Sequence, residues 1–338
     1  MYPLFLEIKD AISIAIRSFI QRKVNVMKAS RTLTGTGLAL VCLCILGVMP
    51  VISNSRPAGF GALEFAFFLS VWQVVFATPL FVRELRGPNK GVFAAGFSPS
   101  ERRRVIRATL FTGALFGLST YLYVYGVEKA GAVSAAIAIQ AYPLFAILWE
   151  AILLKRRKTA LELALTGLLV GALYYLGTGG TGRIDGFSPW ILVVLGVPFL
   201  WSIAHVIIKE ELGRTPITPS QVTFFRVSIS TVFLAGVVAV VAPEGFVDNI
   251  LRLDFQRVAL VMGLVYYLEL FVWFHAVRFI DVSLASSITT PWPAVTMVLA
   301  ALFLGEAVAA YQIGAFVIVV LCIYGLAVAG MRKEKKAA

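Results

Sequence analysis

The chain has 338 residues, of which 59% are apolar and only 14% charged, with a mean hydropathy of +0.87. A water-soluble fold of this length needs far more polar surface, so the composition excludes a soluble globular protein and indicates a polytopic membrane protein. The formal net charge of +12 is spread in short basic runs between apolar spans, which suits anionic lipid headgroups and topology and argues against nucleic acid as a partner.

Residues 1–28 lack the uninterrupted apolar core of a signal peptide. Phe5, Ile8, Ile12, Ala15, Ile16 and Phe19 recur at helical spacing, with Glu7, Asp10, Arg17 and Gln21 opposite. The pattern predicts an amphipathic helix on the cytoplasmic headgroups, with a frayed cytosolic extension as the alternative. Ten apolar spans of about 20 residues each follow, at 33–53, 63–83, 106–127, 132–154, 160–178, 189–208, 219–242, 258–277, 283–304 and 310–330. Cys42, Cys44 and Cys322 fall inside these spans, and no disulfide framework, metal site or cofactor is signalled.

Of the 30 Lys and Arg residues, 24 lie in the N-terminus, the even-to-odd loops and the C-terminus. They include Arg102-Arg103-Arg104, Lys155-Arg156-Arg157-Lys158 and Arg332-Lys333. Five lie in the other loops and one, Arg226, lies within a span. This asymmetry places both termini in the cytoplasm.

The chain repeats itself at an offset of 150. Residues 105–154 fall on 255–304 without a gap, matching Arg107 to Arg257, Gly113 to Gly263, Ala135 to Ala285 and Pro143 to Pro293. Tyr142-Pro143 falls on Trp292-Pro293, Tyr121 on Phe271 and Tyr123 on Trp273. Five spans per copy is an odd number, so the second copy is inverted in the membrane, as in many secondary transporters. The predicted organisation is an all-α membrane protein of ten transmembrane helices in two inverted five-helix repeats. Residues 1–32 form the amphipathic helix and linker, 33–178 the first repeat, 179–188 a linker, 189–330 the second repeat and 331–338 a basic cytoplasmic tail.

The ninth span carries Thr289-Thr290-Pro291-Trp292-Pro293 in its middle. Proline removes a helix donor and clashes with the preceding turn, which frees backbone carbonyls. In lipid such a break is tolerated only where protein or a watered cavity pairs those groups again, and broken spans at mid-membrane mark transporter binding sites.

These features resemble the drug/metabolite transporter superfamily, specifically its EamA-type ten-helix members, over about residues 33–330. The resemblance is carried by the two five-span halves, by Pro143 and Pro293, and by Leu304-Gly305-Glu306 followed by Gln312-Ile313-Gly314. Trp292-Pro293 looks like the corresponding dipeptide of the bacterial amino-acid and metabolite exporter branch. Arg156 departs from the pattern where the family commonly has Glu, and Leu46-Gly47-Val48-Met49-Pro50 lacks the usual Trp-Gly. The resemblance implies substrate binding in a central cavity and alternating access by rocking of two bundles.

Helix rise of about 1.5 Å per residue in a core of roughly 30 Å puts residues ten positions from a span end near the midplane. That layer holds Trp72, Gln73, Gln140, Tyr142, Pro143, Trp201, Tyr266, Tyr267, Glu269, Thr289, Thr290, Pro291, Trp292 and Pro293. All are candidates to line a solute site or its helix breaks, although aromatic residues also serve packing. Glu269 stands out, because an intramembrane carboxylate is costly and usually functional. It is suited to carry a proton or to neutralise an amine beside aromatic faces. Arg226 enters span 7 to about the same depth, so an ion pair with Glu269 is the structural alternative. His205, His275, Glu150 and Glu306 lie nearer span ends and read as structural. Gly113, Gly167, Gly171 and Gly314 read as positions of close helix approach.

No metalloprotease helix, nucleophile elbow or phosphate loop is found, and no soluble domain that could hold an ATPase. The expected function is secondary transport of small organic solutes, most simply export of amino acids, amines or related metabolites across a prokaryotic inner membrane, with lipids and protons as further partners. A flippase for a lipid-linked headgroup is the alternative, and an intramembrane enzyme or sensor the alternative of another class.

Overall fold

Apolar segments of this length cross lipid as helices, because each backbone polar group must then be paired within its own segment. The computed structural model describes residues 32–337 apart from 58, 88–89, 94–97, 153–157, 242–245, 247–249 and 281. The predicted amphipathic segment and the run Lys155-Arg156-Arg157 lie outside the described residues.

In chain order the helices are α1 (Thr32–Asn54), α2 (Ala62–Arg86), α3 (Pro99–Ala130), α4 (Ala132–Ile139), α5 (Tyr142–Ile152) and α6 (Ala160–Gly177). The second half holds α7 (Pro189–Arg214), α8 (Pro219–Val241), α9 (Leu253–Phe279), α10 (Val282–Thr289), α11 (Trp292–Phe303) and α12 (Ala310–Ala337). Nine described segments are long and apolar enough to cross a membrane, and the fourth span is a shorter apolar helix over Ala132–Phe145. Span 4 is therefore α4 with α5, and span 9 is α10 with α11.

Several helices run past their hydropathy limits. α3 begins at Pro99, seven residues before its expected start, because Ser98 and Glu101 form a capping box and Pro99 needs no donor there. α7 continues to Arg214, and α12 continues to Ala337 through what was expected to be a tail. Hydropathy locates the lipid core, whereas a helix ends where its caps are.

The repeats interlock rather than stand side by side. α3 of the first repeat packs on α7 and α8 of the second, α2 packs on α8 and α9, and α6 packs on α12. Close approach comes from specific glycines. A Cβ on Gly113 would stand 2.5 Å from Ile229, and one on Gly263 would stand 2.6 Å from Trp72 Cβ. Gly167, Gly171 and Gly314 do not act this way, because a Cβ there would meet nothing within 4 Å. Their expected role as helix-contact positions is corrected accordingly.

One core spans both repeats and joins Phe65, Val124, Val127, Ile137, Leu169, Phe255 and Trp292. α1 is held to α11 by Thr296, whose hydroxyl donates to the Gly47 carbonyl at 2.8 Å.

Candidate functional site

Both halves break their fourth span at the same place. In the first, α4 ends at Ile139 and α5 starts at Tyr142. In the second, α10 ends at Thr289 and α11 starts at Trp292. Pro143 and Pro293 are the second residues of the new helices, where a missing N–H costs nothing. Each removes the donor that the residue four positions back would have used in a continuous helix.

The freed backbone is paired within the chain. Gln140, buried at the first break, donates through Nε2 to the Thr290 carbonyl at 2.9 Å, so one break caps the other. The Thr289 and Thr290 hydroxyls donate back to the last turn of α10, to Ala285 or Ser286 and to Ser286 respectively. Trp292 is buried in the shared core.

The start of α4 has a separate fastening. Glu306 accepts from the amides of Ala132 and Val133 at 3.0 and 3.2 Å. These are two of the helix's unsatisfied donors, at the end where its dipole favours an anion. Gln312 donates to Ser134 Oγ at 2.9 Å. The turn at Gly131 has φ +83°, a conformation that favours glycine.

A second cluster lies between α1, α3, α7, α8 and α9. Arg226 of α8 is 8% exposed, and its guanidinium carbon lies 3.6 Å from the Phe116 ring centroid. Its Nη2 donates to the Tyr266 hydroxyl at 3.5 Å. A desolvated guanidinium on an aromatic face is stabilised by about 2 kcal/mol. No ion pair joins Arg226 and Glu269 among the described residues, although the two charges are near enough to interact. Glu269 is half-buried, and its described hydrogen-bond partner is Cys42, with Sγ 3.9 Å from Oε1.

His205 stands between the rings of Phe116 and Tyr142, at centroid distances of 5.6 and 5.8 Å, yet its side chain remains exposed. Tyr123 of α3 belongs with Tyr266 to the shared core. Its hydroxyl is buried and has no hydrogen-bond partner among the described residues. Such a group costs about 1–3 kcal/mol when left unpaired.

The fold thus brings Glu269, Arg226, Tyr266 and Tyr142 into one region, with Gln140, Thr289, Thr290 and Trp292 at the breaks. Trp201 donates Nε1 to Ser119 Oγ at 3.0 Å and ties α7 to α3. Trp72 donates to Gln256 at 3.1 Å, and Gln73 is buried next to Gly263, so both belong to the α2–α9 contact. Tyr267 turns away from Tyr266, because neighbours on a helix point about 100° apart. It lines a small cavity of about 30 Å³ with Ala77, Ser220, Thr223, Phe271 and His275. His275 is bonded through Nδ1 to the Phe271 carbonyl at 2.7 Å.

Sequence reasoning missed Cys42, Phe116 and Tyr123. Tyr123 carried one signal, its alignment with Trp273 in the repeat. A larger cavity of about 690 Å³, also unexpected, opens at the ends of α1, α2, α3 and α8, beside Tyr121, Tyr125 and the Arg56–Glu128 ion pair.

A model of the EamA-like transporter family matches residues 33–178 and 188–328. Among solved structures 28 chains match. One, described as a crystal structure of a protein, has a TM-score of 0.56 at 18% identity and covers 88% of this chain and 95% of that one, a likeness of fold. No curated protein matches by sequence.

Proposed function

The chain belongs to the EamA-like transporter family, and from that premise we propose that it is a secondary exporter of amino acids or related metabolites that works by alternating access. It is an integral multi-pass membrane protein and a transporter of small solutes. The observation that carries the finer reading is the facing of the two breaks, joined by the Gln140–Thr290 bond. Unwound backbone at mid-membrane is where such carriers seat their cargo, and inverted halves supply access to two sides. The basic-residue asymmetry supports both termini in the cytoplasm, and the resemblance of Trp292-Pro293 to the bacterial exporter branch supports a prokaryotic inner membrane. Glu269 is the group through which protons are coupled to the solute.

Counterflow in proteoliposomes tests this reading. Vesicles loaded with an unlabelled amino acid or amine should accumulate a labelled trace of it, and vesicles without protein should not. Absence of counterflow for every amino acid and amine, with translocation of a lipid-linked headgroup, would overturn it.

A further inference from the structure

The loops on the face at which α1 ends are poor in cations. They hold five of the 30 Lys and Arg residues, namely Arg56, Lys129, Arg183, Arg252 and Arg257. Three of the five gather around the cavity of about 690 Å³, whose walls include Phe60, Tyr121, Tyr125, Glu128, Val237 and Val241. Arg56 also lines it. Its side chain is 7% exposed, donates to the Phe60 and Ser53 carbonyls at 3.2 and 3.0 Å and pairs with Glu128. Lys129 reaches the other Glu128 oxygen at 2.9 Å, and its ammonium lies 5.6 Å from the Tyr125 ring centroid. Arg252 stands 4.6 Å from the Phe60 centroid and is paired with Asp254.

Two cations therefore share one carboxylate at the rim, and both oxygens of that carboxylate are taken. Glu64, another carboxylate nearby, is buried and accepts from the Gly61 amide at 2.9 Å, at the start of α2 where the helix dipole offsets its charge. A lysine ammonium has three N–H donors, so Lys129 keeps two beyond its bond to Glu128. Exposed ion pairs add little to stability, so folding gives no reason to gather cations on a face that has few. Aromatic and apolar walls, a few polar groups and a volume of about 300–1,000 Å³ are the make-up of a ligand site.

We propose that this cavity binds an organic anion, a single negative group on an apolar body. The negative group accepts from the two remaining N–H bonds of Lys129 and balances the excess positive charge of the rim. The body lies on Val237, Val241 and the near-parallel rings of Tyr121 and Tyr125, whose centroids are 5.7 Å apart. A cationic ligand is refused, because it would be the third cation around Glu128. Soluble organic acids and anionic phospholipids both carry this chemistry. The site is separate from the helix breaks and from Glu269, and it does not depend on the reading of either as a solute site.

The test is ligand-induced thermal stabilisation of the purified full-length protein, since a ligand that binds the folded state raises the unfolding midpoint. The probes are 3-phenylpropionate and dihexanoyl phosphatidylglycerol. Uncharged 3-phenylpropanol, cationic 3-phenylpropylamine and zwitterionic dihexanoyl phosphatidylcholine are the matched controls. At least one of the anions should stabilise wild type, and the controls should not. Lys129→Gln should weaken anion binding about tenfold, and Lys129→Arg should retain it. Arg183→Gln, which removes a cation of the same face that does not line the cavity, should bind as wild type does. Tighter binding of phosphatidylglycerol than of phenylpropionate assigns the ligand to the lipid, and the reverse order assigns it to a soluble acid.

No stabilisation by either anion overturns the proposal. So does equal affinity in wild type and Lys129→Gln. An equal loss in Arg183→Gln overturns it too, because the effect would then be one of overall charge, and equal stabilisation by 3-phenylpropanol would reduce it to apolar partition. Failure of the exporter reading shows elsewhere, as absent counterflow in vesicles, whatever binds at this cavity.

Discussion

Gln140 and Thr290 are 150 positions apart, the offset of the internal repeat, and the side chain of one is hydrogen-bonded to the backbone of the other at 2.9 Å. Equivalent residues of two inverted halves can meet only near the axis that relates them. The bond is one-way, because threonine has no side-chain amide with which to return it. At this central contact the two halves are therefore not equivalent.

Gln140→Ala should strand the Thr290 carbonyl, at a cost of about 1–3 kcal/mol. The unfolding midpoint in detergent should fall by several degrees, and Gln140→Asn, too short to reach, should fall alongside it. An unchanged midpoint for both would show that water replaces the amide at no cost.

Glu269→Gln should abolish uptake driven by a pH gradient while leaving the protein folded and monodisperse in detergent. Glutamine keeps the shape of glutamate but cannot exchange a proton. Uptake driven by the gradient at wild-type rate would remove Glu269 from the coupling role.

Trp292 needs two variants, because it is buried in the shared core. Trp292→Ala should cost about 3–5 kcal/mol through the cavity it leaves, and so lower expression and binding together. Trp292→Phe keeps most of the packing. If the indole contacts solute, Trp292→Phe should lose binding with little loss of thermal stability; parallel losses would make the residue packing alone.

Glu306→Ala should release the amides of Ala132 and Val133, which donate to no other described partner than this carboxylate. Loss of a helix cap costs about 0.5–2 kcal/mol. Hydrogen exchange at those amides should accelerate, with Glu306→Gln intermediate, since its amide oxygen can still accept. Unaltered exchange in Glu306→Ala would mean the start of α4 is held by packing.

Much of the frame was legible because lipid reads hydropathy directly: the spans appear where apolar runs reach the required length, and prolines mark both breaks. Glu269 and Tyr266 were grouped by depth, and their spacing of three also places them on one helix face. Tyr267 was grouped with them only by depth, and depth says nothing about which face a residue takes. Cys42 comes from another helix, so no local pattern joins it to Glu269. Gln140 was recognised as a midplane polar residue, but its partner is a backbone carbonyl, which leaves no mark in a sequence. The fastening at Glu306 was hidden for the same reason.

The position of Arg226 on Phe116 has an electrical consequence. Its charge is held by aromatic rings rather than by a carboxylate, so it stays fixed whatever Glu269 is doing. On the reading of Glu269 as the coupling and amine-neutralising group, it holds one proton or one ammonium, but not both. Each carries a single positive charge, so the compartment has the same net charge when loaded with either. An exchange of one proton for one ammonium would move no net charge across the membrane. Membrane voltage would have no grip on such a cycle, and the pH gradient and the gradient of the amine would together set its direction.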